Sequence, residues 1–171
     1  IISGLGGTKV PVPIAYGYCQ DPTVTGAHFY VMSQVEGRAL FELEDAEEYL
    51  TVEARGRVGD SFMDVLAELH SIDPDEVGLG ELGKKEDYVG GQIKTWYRSW
   101  LASAEGAKYD DPTLHELHGY LSDRKPEQGP ARVVHGDYGL HNCLVDTNGD
   151  LTAVLDWEIS TLGDPMADFA Y

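Results

Sequence analysis

The reading turns on His135-Gly136-Asp137-Tyr138-Gly139-Leu140-His141-Asn142, with Leu155-Asp156-Trp157-Glu158 following it. Asp137 and Asn142 stand five apart on a loop that follows the short apolar run Ala131-Arg132-Val133-Val134 and precedes Cys143-Leu144-Val145. Asn148-Gly149 then separates Cys143-Leu144-Val145 from Leu151-Thr152-Ala153-Val154-Leu155. That dipeptide tolerates the positive φ of a tight turn, so a β-hairpin is expected. Asp156 follows the second strand directly, which brings three oxygen-bearing side chains to one edge of a small β unit. Phosphoryl transfer requires such a set: a carboxylate to orient and deprotonate a hydroxyl, and hard oxygen ligands for Mg²⁺. Taken singly, each residue is equally well explained as turn chemistry. Their occurrence together favours a shared site.

Working outward, the hydrophobic period changes near residue 130. Upstream it is helical. Phe62, Val65, Leu66 and Leu69 recur at i, i+3, i+4 and i+7 behind Asp60 and Ser61 as cap. Ile93, Trp96, Tyr97, Trp100 and Leu101 repeat the pattern, and this spacing assigns the aromatic residues to the core. A third helix starts at Asp111-Pro112 and carries Leu114, Leu117 and Leu121. Residues 14–19 and 29–35 are apolar, aromatic and β-branched around a turn-rich segment, as expected of an antiparallel pair. Residues 1–13 read as a loop, and Asp164-Pro165 opens a last helix that reaches Tyr171. His70 ends an apolar helix face and is expected to be packed and hydrogen-bonded. His115 and His118 are expected on a solvated surface.

The 171 residues are 42% hydrophobic and 25% charged, enough for a core and unlike disordered or collagen-like chains. No apolar run approaches the roughly 18 residues that cross a bilayer. Thirty acidic against twelve basic residues give a net charge of −18, which argues against nucleic acid or an anionic membrane as partner. Residues 36–87 hold 16 of the acids against 5 basic residues, a solvated acidic face or one that attracts cations. Two cysteines, Cys19 and Cys143, make no disulfide framework, so a reducing, cytoplasmic setting is expected.

Asp137-x-x-x-x-Asn142, the hairpin and Asp156 have the spacing of a kinase catalytic loop and the metal-binding Asp that follows it. Together with His135-Gly136-Asp137, Asp156-Trp157-Glu158 and Gly163-Asp164-Pro165, residues 133–171 resemble the signature of the aminoglycoside phosphotransferase/choline kinase family. The likeness is to the branch resembling the kinase-like domain fused to some acyl-CoA dehydrogenases. Phe29-Tyr30-Val31-Met32-Ser33-Gln34-Val35-Glu36-Gly37 resembles the family's hinge strand, and Leu66-Ala67-Glu68-Leu69-His70 with Val77-Gly78-Leu79 its helical linker.

This resemblance implies an α+β, protein-kinase-like fold: a remnant of the small-lobe sheet, then a mostly helical large lobe with the catalytic hairpin. Residues 1–36 would be the end of the small lobe and the hinge, and 37–171 an incomplete large lobe. It implies ATP- and Mg²⁺-dependent phosphorylation of a small-molecule hydroxyl, on a hydroxylated acyl thioester or, second, an amino sugar. Asp137 would be the catalytic base and His135 would brace its loop. Asn142 and Asp156 would bind Mg²⁺, with Glu158 assisting a second ion. Met32 would lie behind the adenine, hydrogen-bonded by the backbone of Ser33 and Val35. Asp168 resembles the helix aspartate that holds the loop from below, and Asp164 caps that helix. His141 departs from the Asp or other small polar residue often found before the Asn, a change that bears on metal affinity or on the substrate side of the loop.

The family's phosphate-covering loop, strand Lys and Glu partner cannot be placed. Gly4-Leu5-Gly6-Gly7 imitates a glycine-rich loop, but Lys9, Pro11 and Pro13 follow where a strand should begin. An internal fragment of a longer kinase, inactive alone and joined to other metabolic domains, is therefore expected. Two other classes compete: a binuclear metallohydrolase built on His135, Asp137, His141 and Asp156, and a catalytically inactive, kinase-shaped binding module.

Overall fold

Apolar residues at both ends of the first segment draw it onto the body of the protein. In the computed structural model, which describes residues 1–170, Leu5 is fully buried within a one-turn helix, α1 (Ile2–Leu5). This corrects the reading of residues 1–13 as a loop throughout. A β-carbon on Gly4 would come 2.7 Å from the Val77 carbonyl, so the turn packs against 77–79. Pro11 and Pro13 follow outside any helix or strand, and the Pro11 carbonyl accepts from Val154 N–H at 2.8 Å.

β1 (Ala15–Cys19) and β2 (Phe29–Met32) pair antiparallel, Tyr18 opposite Tyr30 and Cys19 opposite Phe29. β2 stops at Met32 rather than 35. Ser33 still bonds Ile14, through its N–H and its hydroxyl, but Gly37 at φ +141 then turns the chain so that Arg38 bridges to Val145. A helix the sequence reading missed, α2 (Leu43–Tyr49), follows behind a capping box of Glu42 and Asp45.

α3 (Val52–Ser71) starts at Thr51, whose hydroxyl accepts from Ala54 N–H at 3.2 Å. Asp60 and Ser61 are therefore interior residues, not a cap. Ala54 and Val58 bury the extra turns, and Ser61 Oγ instead accepts from Leu151 N–H. α4 (Tyr88–Ala107) and α5 (Pro112–Asp123) form a pair, with Asp111 accepting from Thr113 N–H at 2.9 Å as the cap of α5.

The remaining strands are β3 (Arg132–Val134), β4 (Cys143–Val145), β5 (Leu151–Val154) and β6 (Thr161–Gly163). β4 and β5 form the expected hairpin, with Gly149 at φ +91. β6, which was not anticipated, pairs antiparallel with β3, Val133 opposite Leu162. α6 (Met166–Phe169) closes the described chain, and the expected helix end at Tyr171 lies outside it. Leu69, Val133, Val134, Cys143, Val145, Val154 and Leu162 are essentially inaccessible to solvent and form the core on which the 135–142 loop is mounted. Among the described residues no helix is long and apolar enough to cross a membrane.

Candidate active site

The loop after β3 is fixed from beneath by one carboxylate. Asp168 on α6 has a fully buried side chain; its Oδ2 accepts from His135 N–H at 2.9 Å and its Oδ1 from Gly136 N–H at 2.8 Å. His70 at the end of α3 contributes Nε2–H to Oδ2 at 2.9 Å. A buried carboxylate requires such donors, since an unpaired charge there is costly. Asp164 assists by accepting from Met166 N–H, which sets the start of α6. Gly136 takes φ +88, a conformation that disfavours other residues.

His135 is inaccessible to solvent. Its Nδ1 accepts from Asp137 N–H at 3.3 Å, so its Nε2 carries the proton, donated to the Leu155 carbonyl at 2.8 Å. Both ring nitrogens are thus occupied in joining the loop to the end of β5. Tyr138 points the other way, its hydroxyl donating to the Phe62 carbonyl at 2.8 Å and its ring 4.4 Å from that of Phe62. Burial raises the Tyr138 hydroxyl pKa far above its ordinary value.

Above this support lie the polar groups. Asn142 closes a 3₁₀ turn (Leu140–Asn142), and its Nδ2 donates to both the backbone carbonyl and Oδ2 of Asp137, each at 2.9 Å. With its amide nitrogen so used, Oδ1 of Asn142 is the atom that can serve a cation. The Asn142 carbonyl accepts from Leu155 N–H at 2.8 Å, which ties the residue before Asp156 to the loop. Asp156 is exposed and holds φ +60, sparsely populated for a non-glycine residue. Hard oxygen donors from Asn142 and Asp156 fit a Mg²⁺ ion. Glu158 is exposed on the next 3₁₀ turn (Trp157–Ile159). His141 Nε2 lies 3.4 Å from Asp137 Oδ2.

The metallohydrolase set does not assemble. Among the described residues no three His, Cys, Asp or Glu side chains are placed to hold a metal, and both nitrogens of His135 are committed to hydrogen bonds. Met32 is partly exposed on β2, Ser33 gives its N–H to the Ile14 carbonyl, and Val35 is half-buried. Lys9 pairs with Glu68 at 3.0 Å.

Two further expectations need correction. α4 buries none of its residues. Trp96, Tyr97 and Trp100 instead line an open apolar cavity of about 940 Å³ between α4, α5 and the loop, with Gly136 and Ile159 in its wall. His115 and His118 are not simply solvated: His115 joins Tyr97 Oη at 2.6 Å and Asp110 at 2.7 Å, and His118 stacks on Tyr97 at 3.8 Å. The contacts of Asp168 with His70, 98 residues away, and of His141 with Asp137 had no sequence signal naming the partner.

Comparison with known proteins bears on the fold that carries this loop. A family model described as "Phosphotransferase enzyme family" matches residues 1–171. Among curated proteins, acyl-CoA dehydrogenase family member 11 of Gallus gallus is 37% identical over 94% of this chain, and the probable acyl-CoA dehydrogenase IBR3 of Arabidopsis thaliana 35% over 96%. The chain spans only 20% of either protein's length. A crystal structure from Ralstonia eutropha JMP134, assigned to the aminoglycoside phosphotransferases, superposes with a TM-score of 0.87 at 35% identity, covering 99% of this chain and 51% of that one. The streptomycin–ATP–APH(2")-IIa ternary complex shares the fold at a TM-score of 0.70 and 18% identity, covering 95% of this chain and 53% of that one. The fold is α+β and protein-kinase-like.

Proposed function

This chain belongs to the phosphotransferase enzyme family, and from that premise we propose that the intact protein transfers the γ-phosphoryl group of ATP to a hydroxyl of a small molecule. The observation that carries the reading is the Asp137 carboxylate, held by Asn142 and mounted on Asp168. Asp137 takes the proton of the acceptor hydroxyl as its oxygen attacks the γ-phosphorus; the bond to the bridging oxygen breaks and ADP leaves. Asn142 and Asp156 would hold Mg²⁺, with Glu158 toward a second ion, and the metal would supply positive charge to offset the negative charge that develops on the phosphates. His135 keeps the loop in shape through its two hydrogen bonds and does not itself react. Positioning supplies most of the catalysis in this chemistry, which is why so many contacts serve one loop.

On this reading residues 1–36 form the end of the small lobe and the hinge, and 37–171 belong to the large lobe. Met32 lies behind the adenine. Ser33 meets the base through its carbonyl, since Ile14 takes its N–H, and Val35 through its backbone. A hydroxylated acyl thioester is the acceptor supported by the acyl-CoA dehydrogenase relatives, and an amino sugar the one suggested by the aminoglycoside enzymes. Fusion to other metabolic domains agrees with the length of those relatives.

The test is mass-spectrometric detection of a phosphorylated acceptor with the full-length protein, across a panel of hydroxyacyl-CoA thioesters and kanamycin. Transfer should require Mg²⁺ or Mn²⁺ and persist after zinc is chelated. Activity lost on zinc removal and restored by zinc alone contradicts the reading.

A further inference from the structure

The imidazole of His141 is folded back over Gly139. A β-carbon built on Gly139 would collide with the ring's Cε1 and stand 2.6 Å from Nδ1, and its three nearest atoms all belong to this ring. The Gly139 backbone is extended, at φ −136 and ψ 160, a conformation open to any residue. A side chain at 139 would therefore push the ring aside without straining the turn.

Folded this way, the ring brings Nε2 to 3.4 Å from Asp137 Oδ2, the same oxygen that accepts from Asn142 at 2.9 Å. Phe41 flanks the ring, with centroids 6.5 Å apart. The contact is long, as catalytic hydrogen bonds often are before substrate draws them in. A carboxylate has a broad torsion about Cβ–Cγ, so one more donor on a chosen oxygen narrows the orientations it samples.

Resting on the reading of Asp137 as the base, we propose that His141 is a positioning residue for it. Its Nε2–H is a further donor that holds the Asp137 carboxylate in one orientation when the acceptor hydroxyl arrives, and Gly139 is the clearance that lets it do so. The pair Gly139 and His141 therefore acts as one unit, and it is particular to a chain that carries His before the Asn.

The experiment measures ADP release by the full-length protein from ATP and Mg²⁺, with a short hydroxyacyl-CoA as acceptor, or water if that thioester is not turned over. His141→Ala should lower kcat about tenfold while the KM for ATP and the melting temperature hold. His141→Gln places an amide nitrogen near the position of Nε2 and should recover most of the loss. Gly139→Ala displaces the imidazole without removing it, so it should cost as much as His141→Ala and add nothing in the double variant. Wild-type kcat in both single variants, or losses that multiply in the double variant, overturns the proposal. Asp137→Asn separates the two levels of the argument. If it abolishes turnover while His141→Ala and Gly139→Ala do not, the positioning role alone fails. If it turns over like wild type, the assignment of the base fails with it.

Discussion

Replacing Asp168 by alanine should unfasten the catalytic loop, and the structure sets the size of the effect. Three donors converge on its fully buried carboxylate: the backbone N–H groups of His135 and Gly136 and Nε2–H of His70, all within 2.9 Å. A buried donor left without its acceptor costs about 1–3 kcal/mol. Water entering the vacated space recovers part of that, so a net loss of about 3–5 kcal/mol is expected, close to what breaking a buried ion pair costs. Against a total stability of about 5–15 kcal/mol this is severe. Asp168→Asn retains one oxygen but turns an NH₂ group toward a donor, and should cost roughly half as much. Urea unfolding of the full-length protein, followed by tryptophan fluorescence, gives both values, and turnover measured well below the transition should fall in the same order. A loss under about 1 kcal/mol for Asp168→Ala, with normal turnover, would mean that the loop is held by something else.

Two further outcomes follow from buried groups. Burial pushes the Cys143 thiol from 9.0 up to about 12, so at pH 8 peptide mapping should find Cys19 alkylated and Cys143 protected until denaturant is added. The folded state holds that proton more tightly than the unfolded one. Its contribution is therefore complete below pH 9 and lost as pH rises from 9 toward 12, about 2 kcal/mol by pH 10.5; Tyr138 acts in the same direction. Cys143→Ala should flatten the alkaline limb of the stability curve, and an unchanged limb would contradict the assignment. Gly149→Ala should destabilise by about 2 kcal/mol or more, because Gly149 sits at φ +91 and its β-carbon would collide with the Ala54 carbonyl on α3. A neutral substitution there, measured by urea unfolding, would show that the hairpin does not rest on α3.

What the sequence made legible was local chemistry with a short reach. Asn148-Gly149 announced the β4–β5 hairpin, and Asp111-Pro112 the start of α5, because each dipeptide restricts its own backbone. The start of α3 was misplaced since Asp60 and Ser61 look as cap-like as Thr51, and only the burial of Ala54 and Val58 carries the helix back to Val52. β6 is three residues long and exists by pairing with β3, a partner that no pattern within Thr161-Leu162-Gly163 names. The spacing of Trp96, Tyr97 and Trp100 correctly gave one helix face. Periodicity does not say what covers a face, and here it lines a cavity. At the site, residue types and spacing singled out Asp137, Asn142 and Asp156. The tautomer of His135, the three donors on Asp168 and the fold of His141 over Gly139 depend on contacts that only the tertiary structure supplies.

The role of Asp137 is tested most directly by Asp137→Asn in the full-length protein, with turnover and ATP affinity measured on the same preparation. The neutral amide cannot take the acceptor's proton, and general-base contributions run to roughly 10²–10⁴-fold. The expected result is turnover lowered by at least about a hundredfold with ATP binding, titrated calorimetrically in Mg²⁺, nearly unchanged. Wild-type turnover on the acceptor, or a loss explained wholly by weaker ATP binding, would contradict the assignment of Asp137 as the base.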